Sequence, residues 1–144
     1  MQKFYGRFLE GAPAIGLLIF RIVIGAALMI HGWSKIQHPF NWMNQPGKPP
    51  SPIPGPLQAL AALGEFGGGA GILFGCLTPL ACLGVICTML GAYFIVHRGA
   101  PWITPAGKSF ELASLYGIMA LLLAFTGPGV FSLDAFLFGK KKKY

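Results

Sequence analysis

Residues 57–97 read LQALAALGEFGGGAGILFGCLTPLACLGVICTMLGAYFIVH. Two apolar runs, 57–75 and 79–97, are separated by little more than Cys76, Leu77 and Thr78, and Glu65 is the one residue among them with a formal charge. At about 1.5 Å per residue each run is near 27 Å long as a helix, enough to cross the hydrocarbon layer of a bilayer. Backbone groups cannot stay unpaired in lipid, so both runs must be helices, and so short a connection makes them an antiparallel hairpin. Gly67-Gly68-Gly69 lies inside the first run and is therefore a packing device, not a phosphate loop. Gly67, Gly71 and Gly75 form overlapping small-xxx-small steps, with Gly64 and Gly68 on a neighbouring strip.

Outward from this hairpin, two further apolar segments run over 13–35 and 109–126. Pro13 suits a first helical turn. The expectation is an all-α membrane protein: a four-transmembrane-helix antiparallel bundle forming one domain over residues 1–144. Of 144 residues only 10 % are charged and 54 % are hydrophobic, against about 25 % charged in a soluble domain. Mean hydropathy is +0.63. Only Arg21, Lys35, Glu65 and Glu111 are charged within the spans. Lys3 and Arg7 ahead of an apolar run imitate an export signal. The run, however, contains Arg21, continues past Met29 and offers no small-x-small cleavage site, so it reads as a retained first helix.

The segment 36–56 holds seven prolines and should be extended, polyproline-like and exposed, as a surface cap or subunit contact. Thr126-Gly-Pro-Gly should stop the fourth helix, and Val130–Phe138 reads as a short interfacial segment. With four spans both termini share one side. Lys3, Arg7 and Lys140–Lys143 there outnumber Lys35, Lys48, Arg98 and Lys108 opposite, which places both termini in the cytoplasm. Trp33, Trp42 and Trp102 fall on the other side, as interfacial anchors would. Net charge is +7, but Lys140, Lys141, Lys142 and Lys143 supply much of it. Beside a membrane such a tail meets anionic lipid headgroups, and nothing argues for nucleic acid. Cys76, Cys82 and Cys87 make no Cys-x-x-Cys pair and no zinc spacing, and read as small hydrophobes.

Ionisable groups in a membrane carry what chemistry there is. Depths counted from span centres put Arg21 close to Glu65, so those two are expected to pair; an isolated charge there would cost at least ~3 kcal/mol. The same count levels His31 with Glu111, places Lys35 one turn above His31, and brings His97 near Lys35. Arg21, His31, Lys35, Glu65, His97 and Glu111 thus form a polar column opening at the outer mouth. Two readings stay open: ion pairs that dock four helices, or a pocket or proton path for a quinone headgroup. A quinone needs donors for its carbonyls, a titratable group for the proton and apolar walls for its tail. No metal-ligand spacing, Ser-His-Asp set, Rossmann fingerprint or P-loop is present.

Arg21, Gly25 and the run HGWSK at 31–35, Glu65 within GEFGGGAGILFG, Glu111, and GPGVFSLD at 127–134 occur in an order that resembles the DoxX family of small four-helix membrane proteins. The resemblance covers nearly the whole chain. It implies a four-helix bundle associated with membrane redox systems, quinone reduction among them, with Arg21, His31, Lys35, Glu65 and Glu111 as the polar core. The function expected is that of a subunit in a quinone-linked redox system, without a covalent cofactor and with other membrane subunits as partners. The alternative is a non-catalytic accessory subunit that stabilises a larger respiratory or photosynthetic complex; a transporter or channel is a third, weaker option.

Overall fold

The computed structural model describes residues 8–44, 46–47, 49–104 and 109–139. Lys3, Arg7, Lys48, Lys108 and the Lys140–Lys143 tail, on which the orientation argument rests, lie outside the described residues. Helix α1 runs Ala12–Gln37, α2 Gly55–Phe74, α3 Thr78–Gly91 continued by a π turn Ala92–Val96, α4 Glu111–Thr126 and α5 Leu133–Phe138. There are no strands among the described residues. Prolines stand in the first turn of α1, α2 and α3, where a missing N–H removes no helical bond. Three helices, Ala12–Gln37, Gly55–Phe74 and Thr78–Val96, are long and apolar enough to span a membrane. The fourth is shorter than expected. With Ser109 outside it and Phe110 as its cap residue, α4 has 16 residues and reaches about 24 Å.

Chain neighbours pack antiparallel. Where α1 crosses α2, a Cβ on Gly25 would sit 2.7 Å from the Gly69 carbonyl, and one on Gly32 2.8 Å from the Phe66 nitrogen. Where α2 crosses α3, a Cβ on Gly64 would sit 2.8 Å from the Gly84 carbonyl. Close backbone approach of this kind replaces the hydrophobic effect as the force holding helices together in lipid. Gly117 of α4 faces Met89 of α3, and Tyr93 stacks edge-on against Phe110 at 4.6 Å. The expected glycine strips are divided differently from the prediction. Gly64, Gly68 and Gly71 meet α3, Gly69 meets α1, and a Cβ on Gly67 would meet only Leu63. Leu28, Ile72, Cys82, Val85 and Leu123 form the buried centre, while Val23, Ile30, Leu63, Leu83, Ile118 and Phe125 point outward.

At the α2–α3 turn the chain is closed from below by residues 127–134. Gly127, Pro128 and Gly129, ahead of the interfacial segment expected over 130–138, are buried; within that segment Asp134 is buried while Phe131, Phe136 and Leu137 are exposed. Asp134 is fully buried, and its carboxylate accepts the backbone N–H groups of Leu77 and Thr78 at 2.8 Å each. It caps α3, where both the free N–H groups and the helix dipole favour an anion. Ser132 caps α5 by accepting from Ala135 N at 3.1 Å.

The α1–α2 connection also departs from expectation. Its prolines at 49, 50, 52 and 54 are exposed, but the segment is not an extended rod. Turns join His38 to Asn41 and Asn41 to Asn44. Buried Gln58 then ties the loop to α2: Met43 N donates to its Oε1 at 3.0 Å, its Nε2 donates to Ile53 O at 2.8 Å, and Trp42 Nε1 donates to its carbonyl at 2.9 Å. A buried amide demands such partners, and those available belong to the loop.

Candidate functional site

Glycine contacts fix the register of α1 on α2, and with it the pairing of charges. Gly25 lies against Gly69 and Leu73, and Gly32 against Phe66, so Arg21 falls opposite Gly75 and Lys35 opposite Glu65. The expected Arg21–Glu65 pair is therefore not formed. Gly75 is about 15 Å along α2 from Glu65 at about 1.5 Å per residue, beyond the reach of an arginine side chain. Counting depth from span centres assumed helices centred on one plane; the glycine crossings stagger them instead.

Arg21, 1 % exposed, donates through Nη2 to the Phe131 carbonyl. Its guanidinium lies on Gly75, which ends α2 in a left-handed conformation at φ 61°, close to the negative end of that helix. Asp134 lies within its electrostatic reach. Nε and Nη1 of Arg21 have no hydrogen-bond partner.

The outer end holds a second cluster. Lys35 Nζ donates to Glu65 Oε2, the one ion pair among the described residues, with the two side chains 27 % and 7 % exposed. The same ammonium stands 4.9 Å from the centre of the Trp42 ring, a cation–π distance. Tyr116 of α4 lies within electrostatic reach of Glu65 and stacks edge-on with His31 at 6.0 Å. Lys35, Trp42 and Tyr116 thus bring α1, the loop and α4 towards one carboxylate of α2, with exposed His31 against the Tyr116 ring.

Two spaces meet at this cluster. On one side a groove of about 420 Å³ runs between α2 and α3, lined by Leu57, Ala61, Cys87, Ala92 and Ile95 among others and reached by Lys35 and Trp42. On the other, a cleft of about 420 Å³ is lined by Ser34, His38, Asn41 and Asn44, with Lys35 and Trp42 shared. Lys35 and Trp42 are the wall between an apolar and a polar space.

The six residues singled out in the sequence are not one column. Lys35 and Glu65 come together and exposed His31 lies against Tyr116, whereas Arg21 sits about 21 Å away along α1. Glu111 opens α4 and is about 7.5 Å further out than Tyr116, the residue His31 touches, at about 1.5 Å per residue. No ion pair joins Glu111 to the cluster among the described residues. His97 follows the π turn, its backbone N–H bonded to Ala92 O at 2.8 Å and its Nδ1 buried without a partner. Ile95 and Val96 beside it line the groove. Sequence reasoning missed Gln58 and Tyr116 as partners of the site. A lone amide inside an apolar span and a phenol mid-helix are the signals that mark them. No cluster of three or more His, Cys, Asp or Glu residues able to hold a metal occurs among the described residues.

Apolar helices of spanning length with a few polar groups held inside define a small helical integral membrane protein. The DoxX family model matches residues 16–98, and the chain belongs to the DoxX family. The inner membrane protein YqjF of Escherichia coli (strain K12) is 34 % identical over 127 residues, 85 % of this chain and 92 % of that protein. A Bacillus subtilis (strain 168) protein named "Putative oxidoreductase CatD" is 30 % identical over 128 residues, 89 % of this chain and 91 % of its own length. No solved structure matches the chain at a significant level.

Proposed function

We propose that the chain is a membrane subunit of a quinone-linked redox system in which Lys35 and Trp42 hold the quinone headgroup. The observation that supports this most is the groove of about 420 Å³ whose apolar α2 and α3 walls end on the ammonium of Lys35. An ammonium has three donors, and one is taken by Glu65, which leaves two for a carbonyl oxygen. Buried Glu65 holds the lysine side chain in place, while the Trp42 ring offers a face for stacking. Reduction of a quinone takes two electrons and two protons to give two hydroxyls. On this reading the electrons come from a flavin or metal centre of a partner subunit, and the protons enter from water in the Ser34–Asn41–Asn44 cleft. Tyr116, with His31 against its ring, adds a further polar group within reach of Glu65. The naming of CatD as an oxidoreductase favours the redox association.

With both termini cytoplasmic, the headgroup site opens on the opposite membrane face and the Lys140–Lys143 tail meets anionic lipid. A second reading, a non-catalytic accessory subunit, is favoured by the small residues Gly67 and Ala70 that line the outside of the α2–α3 seam, since small residues are where partner helices approach in lipid. Purification in mild detergent, with mass spectrometry of the lipid extract and of associated subunits, separates the two. The redox reading expects isoprenoid quinone with the wild-type protein and its loss in folded Lys35→Met. Wild-type protein that carries no quinone, and whose tryptophan fluorescence added quinone leaves unquenched, overturns it.

A further inference from the structure

A second, longer depression lies along the same helix seam. It encloses about 700 Å³ and is lined by Gly67, Gly71, Phe74, Leu77 and Leu80 among others. Leu60 and Gly84 line both this space and the groove that ends on Lys35. The two therefore meet at the α2–α3 crossing and form one furrow from Leu77 at the inner end to Ile95 and Lys35 at the outer. We infer that this furrow is the binding track for the isoprenoid chain of the quinone whose headgroup rests at Lys35, an inference that stands on the reading of Lys35 as a headgroup site.

Two observations select a single hydrocarbon chain over a neighbouring helix. The first is closure. Trp42, Met43 and Ile53 wall the outer end, and a straight helix laid along the seam would run into them. The second is polarity. The furrow is apolar along its length and ends at an ammonium with donors to spare, which matches an apolar chain carrying a hydrogen-bond-accepting head. Its floor is open because Gly67 bears no side chain: a Cβ there would meet only Leu63 of its own helix at 3.2 Å. At the junction, a Cβ on Gly84 would find its nearest neighbour, Gly64 Cα, at an ordinary 3.5 Å. Both positions can therefore be filled from the furrow side.

The test compares a tail-less ubiquinone headgroup analogue with a long-chain ubiquinone, each binding to the protein in nanodiscs and read by quenching of tryptophan fluorescence. The readout is the ratio of the two dissociation constants, corrected for partition into lipid. Gly67→Leu should lower the advantage of the long-chain probe at least tenfold, and Ala70→Phe serves the same purpose should the first variant not fold. A ratio unchanged in folded variants that still bind both probes overturns the furrow and leaves the headgroup site standing. Failure of the wild-type protein to bind either probe overturns the headgroup reading, and the furrow with it. A bis-maleimide dimer trapped through Cys76, which lines the inner part of the furrow, and undisturbed by the long-chain probe would assign the track to a second copy of the chain and overturn the inference.

Discussion

Replacing Lys35 by methionine should destabilise the bundle more than replacing Glu65 by glutamine, although both remove the same ion pair. Removing one partner of a buried pair costs about 3–5 kcal/mol, because the other charge is left without compensation in a low-dielectric surrounding. Lys35 is 27 % exposed and Glu65 7 %, so water already screens the outer half of the pair, which lowers the expected loss for Lys35→Met to about 2–3 kcal/mol. Glu65→Gln strands the lysine instead. Its flexible stem can turn the ammonium into the cleft lined by Ser34, Asn41 and Asn44, so that loss should be only about 1 kcal/mol. In the double variant Lys35→Met/Glu65→Gln no charge is stranded, and the combined loss should fall short of the sum by about 1–2 kcal/mol. Equilibrium unfolding in mixed detergent micelles, run as a double-mutant cycle, measures all three. Additive single losses, or Glu65→Gln as damaging as Lys35→Met, would refute the account of a buried carboxylate held by a partly wet lysine.

Gly75→Ala should abolish assembly: the new methyl would overlap the Arg21 guanidinium, lie 2.5 Å from Ser132 Cβ and require φ near +61°, a combined penalty of ~3 kcal/mol or more. Gly16→Ala, where a Cβ meets nothing within 4 Å, should instead stabilise by ~0.5–1 kcal/mol; yield of monodisperse protein compares the two. Asp134→Ala removes the acceptor of two N–H groups at 2.8 Å and should cost about 1–3 kcal/mol, seen as a lower melting temperature with Asp134→Asn in between. Gln58→Leu removes the two side-chain amide contacts and keeps the carbonyl that Trp42 binds; it should loosen the α1–α2 connection, raising its cleavage rate by an added protease while the bundle stays folded, and resistance equal to wild type would show that the amide does not hold the loop.

The fold was legible because its signals are one-dimensional. Span length, scarcity of charge and the near absence of a connection between Gly75 and Pro79 determine helices and an antiparallel hairpin whatever their rotation. Of the polar groups, only the need for partners was legible. That Arg21, Lys35 and Glu65 must find partners follows from their place in a membrane; which partner each finds depends on axial register. Register is set by where backbones touch, Gly25 on Gly69 and Gly64 on Gly84, and a sequence rich in glycine offers several crossings of equal plausibility. Counting from span centres chose the wrong one, which sent Arg21 to Glu65. The partner of Arg21 was invisible for a second reason: the Phe131 carbonyl is a backbone group in the bend before α5, and no side-chain pattern announces which carbonyl a bend will turn inward.

The same register separates the roles of the two charged clusters. At the inner end, Arg21 and Asp134 meet backbone: a carbonyl for one, two helix N–H groups for the other, and Gly75 pressed against the guanidinium. Each group complements the helix end it faces, the cation at the close of α2 and the anion at the start of α3. These residues fasten the 127–134 segment under the hairpin, and their loss is expected to read as lost assembly. At the outer end, Lys35 faces a carboxylate on one side and unfilled space on two others. A lysine whose only task was to dock α1 on α2 would need neither space, since Gly25 and Gly32 already bring those helices into contact. Variants at the two ends should therefore part company. Asp134→Asn should move stability and quinone binding together through the folded fraction, whereas Lys35→Arg, which keeps the charge but enlarges the head, should preserve folding and still alter binding in the groove. Equal losses of folding and binding at both ends would return Lys35 to a purely structural role.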